Sequence, residues 1–564
     1  MPISRRYAPG TLIVESTWVT DTGWAVVLDA LTIAEWEQMS DERSRPRMEH
    51  ESDRSLLRVA TCIDGRVEFE MECLPHFGYG AVESTWSGGE LGEAEASGNG
   101  DRLQLTSDFE LSIDGPAVRG AVKLREDETA FCAVTWQKGS LGGPRSAPEA
   151  LERLESTQEF WREWLRHGDF PDHPWRIHLQ RSALVLKGLT YAPTGAILAA
   201  PTTSLPERPG GERNWDYRYS WIRDATFSLW AMHTLGFDEE AEAFMTFVGD
   251  ICRKDPNLQI MYGIGGEKEL TESTLDHLSG YEDSRPVRIG NGAFDQRQND
   301  VWGALLDSVY LHAKALGHIS DSMWELLEYQ VEAAIEAWPM PDQGIWEGRG
   351  EPKHYVSSKL MIWVAVDRGR RLAAQRGERE LEQRWSEIAQ EFHAEILEKG
   401  VRDGVFRQHY DTDALDASLL LAPLLRFLPP RDERIRATVE AISRDLTENG
   451  LVLRYRPEMT DDGLHGGEGT FLICSFWMVS ALSEIGEGHR ARELCERLLL
   501  MAGSLDLFAE ELDAGSGRHL GNFPQAFTHL ALINAVSHVI ADERREDGER
   551  TAVFSEMRGL REGV

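Results

Sequence analysis

The sequence predicts a mainly α protein, an (α/α)6 toroid preceded by an N-terminal antiparallel β-sandwich. Three observations carry that prediction. Over residues 1–140, apolar and polar residues alternate with period two. From Trp175 to Ala541 the apolar period becomes helical, and twelve candidate helices follow one another. The links between those helices alternate between short and long.

The strands come first. Val67, Phe69 and Met71 alternate with Glu68, Glu70 and Glu72, the pattern of a half-buried strand. Leu12–Val19, Ala25–Leu28, Leu103–Phe109 and Ala130–Trp136 are further candidates, with turns expected at Asp64-Gly65 and Asp114-Gly115. Asp41–Arg54 is polar and charged and reads as a loop. A Gly/Pro/Ser-rich break at Gly139–Pro148 precedes a helix over Glu149–Arg166, read as a linker helix lying against both domains. We therefore divide the chain into a sandwich (1–140), a linker helix (141–172), a barrel (173–545) and a C-terminal tail (546–564).

The barrel helices are Trp175–Tyr191, Ser220–Leu235, Asp238–Cys252, Asp300–Leu316, Ser322–Trp338, Ser357–Ala374, Glu378–Glu398, Asp413–Leu425, Asp432–Leu446, Phe471–Ile485, Glu487–Met501 and Gln525–Ala541. Short links such as Gly236-Phe237 and Gly486 make antiparallel neighbours. Six helical hairpins in succession put every long loop, rich in Trp, Tyr, Arg, Asp and Glu, at one end. The result is a closed ring with one functional rim. An α-solenoid could use as many helices, but it would not need these aromatic loops.

Bulk properties remove several function classes. At 564 residues the chain can build more than one core. Its formal net charge of −36 disfavours nucleic-acid and anionic-membrane partners and leaves a neutral substrate unaffected. Six cysteines without metal-type spacing read as buried thiols. The start of the sequence leads into no apolar signal region, and no run is long enough for a membrane span, so a cytoplasmic enzyme is expected. No cofactor or metal is implied, and oligomeric state is open.

The rim carries the chemistry. Glu347 follows Trp346 in the loop before the sixth barrel helix, and Glu510 lies in the loop before the twelfth. The third and sixth hairpins of such a ring face each other across its mouth. Two opposed carboxyls roughly 6.5–9.5 Å apart can hydrolyse a glycosidic bond with inversion, one as acid and one as base. Any single Glu among 95 acidic residues is most often a solvated surface group, and Glu511 rivals Glu510. Arg223 and Asp224 can bind sugar hydroxyls, although a charge pair at a helix start is commonplace. Trp215, Tyr217, Trp221 and Trp346 offer flat faces for a pyranose ring, although aromatics near a helix start are more often core. Gln298 and Asp300 precede the fourth helix, where Asp300 is equally suited to capping it. Arg454 is a hydroxyl ligand or a loop salt bridge. His529 reads as a core residue or a partner of a site residue. Gly263-Ile264-Gly265-Gly266 lacks the strand-turn-helix context of a nucleotide loop.

At three segments the sequence resembles glycoside hydrolase family 15, the glucoamylase and bacterial trehalase family. They are Ala199–Glu207, Asn214–Asp224 and Gly521–His529. The resemblance covers nearly the whole chain. It implies a β-sandwich followed by an (α/α)6 barrel, and inverting hydrolysis of a terminal α-glucosyl unit. It puts Glu347 on the general acid and Glu510 on the general base, with Asp513 completing a Glu-x-x-Asp pattern. Arg223, Asp224 and Arg454 fall on glucose-binding positions. Phe527 stands where many glucoamylases carry Trp, so that subsite is expected to differ. Similar proteins open with a further strand-rich segment not found here, so the expectation is either a sequence that starts too far downstream or a reduced sandwich. The expected substrate is a small neutral α-glucoside, first of all α,α-trehalose. The alternatives are a glucoamylase-type exo-α-glucosidase on malto- or isomalto-oligosaccharides and a non-catalytic sugar-binding protein on a hydrolase scaffold.

Overall fold

The structure is a computed structural model that describes residues 2–33, 54–89, 92–137, 142–316, 319–464 and 466–561. The loop expected at Asp41–Arg54 lies, but for Arg54, outside the described residues. So do residues 139–141 of the expected break and 562–564 of the expected tail. Two compact units divide the chain, Met1–Gly168 and Asp169–Val564.

Among the described residues the first unit holds ten strands: β1 (Ser4–Tyr7), β2 (Val14–Val19), β3 (Gly23–Leu31), β4 (Ser55–Cys73), β5 (Thr85–Gly88), β6 (Glu93–Gly98), β7 (Asp101–Ser107), β8 (Leu111–Asp114), β9 (Ala117–Arg125) and β10 (Thr129–Trp136). Pairing is antiparallel in the order β1-β2-β3-β4-β10-β7-β6-β5, with β9 paired to β4 and β8 to β9. The first half of β4 pairs with β3 and β10, whereas Arg66–Cys73 pairs with β9. One long strand thus serves both layers. The Asp64-Gly65 pair, expected to close a hairpin, lies inside β4 where the strand leaves one layer for the other. Gly65 has φ +72°, and a Cβ there would meet the Thr22 carbonyl at 2.3 Å, so glycine bends the strand without ending it. Asp114-Gly115 does turn, between β8 and β9.

Between the layers lie Ala25, Cys62, Val67, Leu124 and Ala130, and beside them Ala94, Leu105, Leu111 and Val118. A further core of Ile13, Leu57, Val59, Phe131 and Ala133 is closed by Ala150 and Leu154 of helix α1 (Ala147–Arg166). Ser146 caps that helix by accepting from the Glu149 amide, and Pro148 occupies its first turn.

The second unit is a double ring of helices: α2 (Arg176–Gly188), α3 (Ile222–Thr234), α4 (Asp238–Lys254), α5 (Val301–Leu316), α6 (Asp321–Ala337), α7 (Val356–Arg376), α8 (Arg379–Lys399), α9 (Leu421–Leu424), α10 (Glu433–Asp445), α11 (Leu472–Glu484), α12 (Gly488–Leu499) and α13 (Ala526–Arg561). The inner ring is α3, α5, α7, α9, α11 and α13; it closes because α13 packs on α3. The even-numbered helices pack outside it. Burial follows position. Every residue of α11 from Leu472 to Ser483 is buried, whereas α12 buries the single stripe Ala491, Cys495, Leu498 and Leu499. Within the inner ring α5 and α7 approach so closely at Gly303 that a Cβ would meet the Met361 carbonyl at 2.2 Å.

Two expected helices differ. Asp413–Leu425 contracts to a 3-10 turn, Ala417–Leu420, followed by the four residues of α9. Asp416 caps the Ser418 amide at 2.8 Å, which starts the turn late, and Pro423 and the Pro429-Pro430 pair limit its growth. The last helix runs past Ala541 to Arg561, through most of the expected C-terminal tail. The long loops all enter the inner helices at their N-termini, so one rim gathers them.

Candidate active site

A pocket opens on that rim. Its walls come from the loops before α3, α5, α7, α11 and α13 and from the helix ends they lead into. On one side, Trp346 and Glu347 end the tight segment that follows Gly344. Glu347 itself takes a left-handed φ of +57°, a strained conformation for a residue with a side chain. The Trp221 indole donates to Glu347 Oε1 at 2.6 Å, and Arg223 Nη2 donates to the same oxygen at 3.3 Å. Both donors therefore engage one carboxyl oxygen.

Arg223 is the hub of this wall. It donates to Asp224 at 3.0 Å and to both Gln298 and Asp300 at 3.1 Å. Burial works against its charge, but Asp300, Asp224 and Glu347 hold its pKa above the ordinary value. Burial raises Asp224 to about 6 against the pull of Arg223, with Glu347 adding repulsion.

On the other wall, Glu510 precedes a short strand, Glu511–Leu512, paired with Thr470–Phe471 and with His519–Leu520. Glu510 Oε1 accepts from the Tyr217 hydroxyl at 2.6 Å and from Gln525 Nε2 at 3.2 Å. Gly521 backs it, with φ +76° and room for no Cβ: the added atom would lie 2.9 Å from Glu510 Oε2. The rings of Tyr217 and Trp221 meet edge to face with centroids 5.5 Å apart. Each of these rings thus holds one of the two carboxyls. The Tyr217 phenol is pushed well above its usual range by burial and then by Glu510, so it stays a neutral donor.

Glu207, Glu510 and Glu511 are all buried, and an oxygen of each lies within 4.8 Å of the other two. Among the described residues they are the group that could hold a metal ion, but a cation there would occupy Glu510. At an effective dielectric of about 20, two unit charges that far apart repel by about 3.5 kcal/mol. Burial first raises all three carboxyls; repulsion from Glu207 then raises Glu510 and Glu511, and repulsion from Glu468 raises Glu207 and Glu511. Arg454 opposes this, although it is bound bidentately by Glu468 at 2.9 and 2.6 Å.

The sequence profile described as "Glycosyl hydrolases family 15" matches residues 175–537. The chain belongs to glycosyl hydrolase family 15. Trehalase from Mycolicibacterium smegmatis is 56% identical over 98% of this chain and 85% of its own length. Trehalase from Mycobacterium tuberculosis is 54% identical over 97% and 82%. Among solved structures, a bacterial glucoamylase complexed with acarbose superposes with a TM-score of 0.71 at 12% identity, covering 95% of this chain and 85% of that one. It shares the fold. As a member of this family the chain is an O-glycosyl hydrolase.

Within this family 15 pocket, Trp215, Trp221, Arg223, Asp224, Trp346, Glu347, Arg454, Glu510 and Phe527 all line the wall, as their positions in the sequence suggested. Gln298 and Asp300 do not line it. They are buried behind Arg223 and bind its guanidinium rather than the space in front of it. Asp513 also stands off the pocket and shapes the hairpin turn by accepting from Ser516. His529 is buried beneath the Glu510 loop, where its Nε2 accepts from the Phe508 amide at 3.2 Å. Arg454 is both wall and salt bridge. Sequence reasoning missed Glu207, Arg213 and Asp462, which also line the pocket. Glu207 ends a segment that carried the family resemblance, and that was the one available signal.

Proposed function

We propose that this chain hydrolyses α,α-trehalose to two glucose molecules with inversion at the attacked carbon. The observation that carries the reading is the pair Glu347 and Glu510 in one rim pocket beside Arg223 and Asp224. The choice of trehalose rests on the relatives named trehalase that align over nearly the whole chain. In this reading Glu347 is the general acid. Trp221 and Arg223 engage its Oε1, so Oε2 carries the proton given to the glycosidic oxygen. Glu510 is the general base and takes a proton from the water that attacks the anomeric carbon from the opposite face. Tyr217 and Gln525 hold Glu510 in register. Arg223 and Asp224 grip hydroxyls of the attacked glucose, Trp215, Trp221 and Trp346 pack on ring faces, and Phe527 and Arg454 close the inner end. No cofactor enters the scheme. All six cysteines are unpaired, which suits a reducing, cytoplasmic setting, to be checked by cell fractionation.

The test is to incubate the protein separately with trehalose, maltose and isomaltose and follow the anomers of released glucose by NMR. Inversion at one carbon of trehalose gives β-glucose from the attacked unit and α-glucose from the leaving unit, in equal early amounts. Glu347→Gln and Glu510→Gln should each lower kcat by about a thousandfold. Glucose from maltose or isomaltose but not from trehalose would move the substrate to an oligosaccharide. Two α-glucose products would sink inversion.

A further inference from the structure

Each of the three clustered carboxyls has one oxygen that is satisfied and one that is not. Glu207 Oε1 accepts from the Trp215 indole at 2.8 Å, Glu510 Oε1 from Tyr217 and Gln525, and Glu511 Oε2 from the Gly469 amide at 2.6 Å. Glu207 Oε2, Glu510 Oε2 and Glu511 Oε1 are buried with no hydrogen-bond partner among the described residues. Arg454 Nη2 stands 3.8 Å from Glu207 Oε2, beyond hydrogen-bond reach, and is committed to Glu468. Arg213 gives Nη2 to Asp462 at 2.8 Å, while its Nη1, 3.5 Å from Glu468, and its Nε hydrogen-bond none of the three carboxyls. Three acceptors in one cluster, where an oxygen of each carboxyl lies within 4.8 Å of the other two, thus receive no hydrogen bond from the described residues, an arrangement that buried polar groups do not tolerate.

We propose that Glu511 is a proton-holding positioning residue, whose Oε1 carries a proton through turnover and donates it inside the Glu207–Glu510–Glu511 cluster. The proposal rests on the reading of Glu510 as the base. A neutral Glu511 lets Glu510 be the ionised member, which a base must be. Glu511 is the right holder on geometry. It is fully buried in the middle strand of its three-stranded ladder, away from the pocket lining, so its proton is not exposed to substrate. The charges that face it agree. Burial disfavours its ionised form most, Glu207, Glu468 and Glu510 then repel that form, and Arg454 alone among its principal neighbours favours it. Gln at this position would mimic the protonated acid, its carbonyl taking the Gly469 amide and its NH2 replacing the Oε1 proton.

The experiment combines infrared spectroscopy of the wild-type protein with kinetics of Glu511→Leu and Glu511→Gln. At neutral pH the wild type should show a protonated-carboxyl C=O band that is missing from Glu511→Gln. Glu511→Leu removes the donor, and should lower kcat at least tenfold and move the acid limb of its pH profile. Glu511→Gln should recover most of that loss, with the wild-type acid limb. A wild type without the band, or a Gln variant as slow as the Leu variant, overturns the proposal. So does a divalent ion, tried as Mg2+ and as Ca2+, that binds one per chain and is lost in Glu511→Gln. The infrared band is read without turnover, so it fails independently of the base assignment. The base assignment itself fails if Glu510→Gln keeps its activity.

Discussion

Tyr217 shows how much of the site is held by neighbours of the reacting groups. Its hydroxyl donates to Glu510 Oε1 at 2.6 Å and favours the ionised carboxylate. Tyr217→Phe removes a hydrogen bond to a charged group, worth about 1.5–3 kcal/mol, so kcat should fall about ten- to a hundredfold. The sign for pH follows. Without the donor the Glu510 pKa rises, the base is protonated at higher pH, and the acid limb of kcat moves up. An unmoved limb would remove Tyr217 from the base's surroundings. Asp300→Ala tests the opposite wall. It takes away one of the anchors of Arg223, and a loosened guanidinium should raise KM more than it lowers kcat. These residues also mark what could be read from the sequence. Glu347, Glu510, Arg223 and Asp224 stood in distinctive Trp- and Arg-rich contexts. Glu207 was one acid among many, because nothing local distinguishes a buried carboxyl from a solvated one. Gln298 and Asp300 were placed on the right rim but on its hidden side, since facing is decided by packing between loops.

The helices were legible because hairpin links are short and rim loops long, and that alternation survives without any residue-level repeat. The segment before α9 was not, because Asp416 commits its carboxylate to the Ser418 amide and to the Trp346 indole at 2.9 Å. What reads as a helix is therefore partly a support for the Glu347 loop. The extra strands β1, β5, β6 and β8 escaped notice because strands of four to six residues carry little periodicity. His529 in α13 supports the other catalytic loop. Its Nε2 accepts from Phe508, so the ring proton sits on Nδ1 and goes to Ser182 of α2 at 3.0 Å. Burial, and then Arg181, depress this imidazole to about 3. A folded pKa below the unfolded value of about 6.5 means the unfolded chain binds the extra proton between them. Stability should therefore fall as pH drops from 6.5 toward 3, with a slope from this group of up to about 1.4 kcal/mol per pH unit. Chemical denaturation of His529→Gln across that range should show a shallower slope. An unchanged slope would mean His529 is not the titrating group.

Taken whole, the chain joins a neutral proposed substrate to a surface of formal charge −36, and the two should respond differently to salt. Much of the surface charge is locally paired, as in Arg384–Glu332, Arg436–Glu487 and Arg490–Glu440. Such exposed pairs are each worth little, and they leave an excess of acidic groups repelling one another across the molecule. The Debye length falls from about 30 Å at 0.01 M to about 8 Å at 0.15 M ionic strength. That screens repulsion between distant carboxylates while sparing the buried pairs around Arg223 and Arg454. Raising sodium chloride over this range should therefore raise Tm by several degrees. It should change kcat/KM for trehalose by less than about twofold, because a neutral sugar is not steered by the field. A Tm that stays flat would mean local pairing already cancels the excess. A steep fall of kcat/KM with salt would mean that the productive ligand of this pocket carries charge, and would count against a neutral disaccharide.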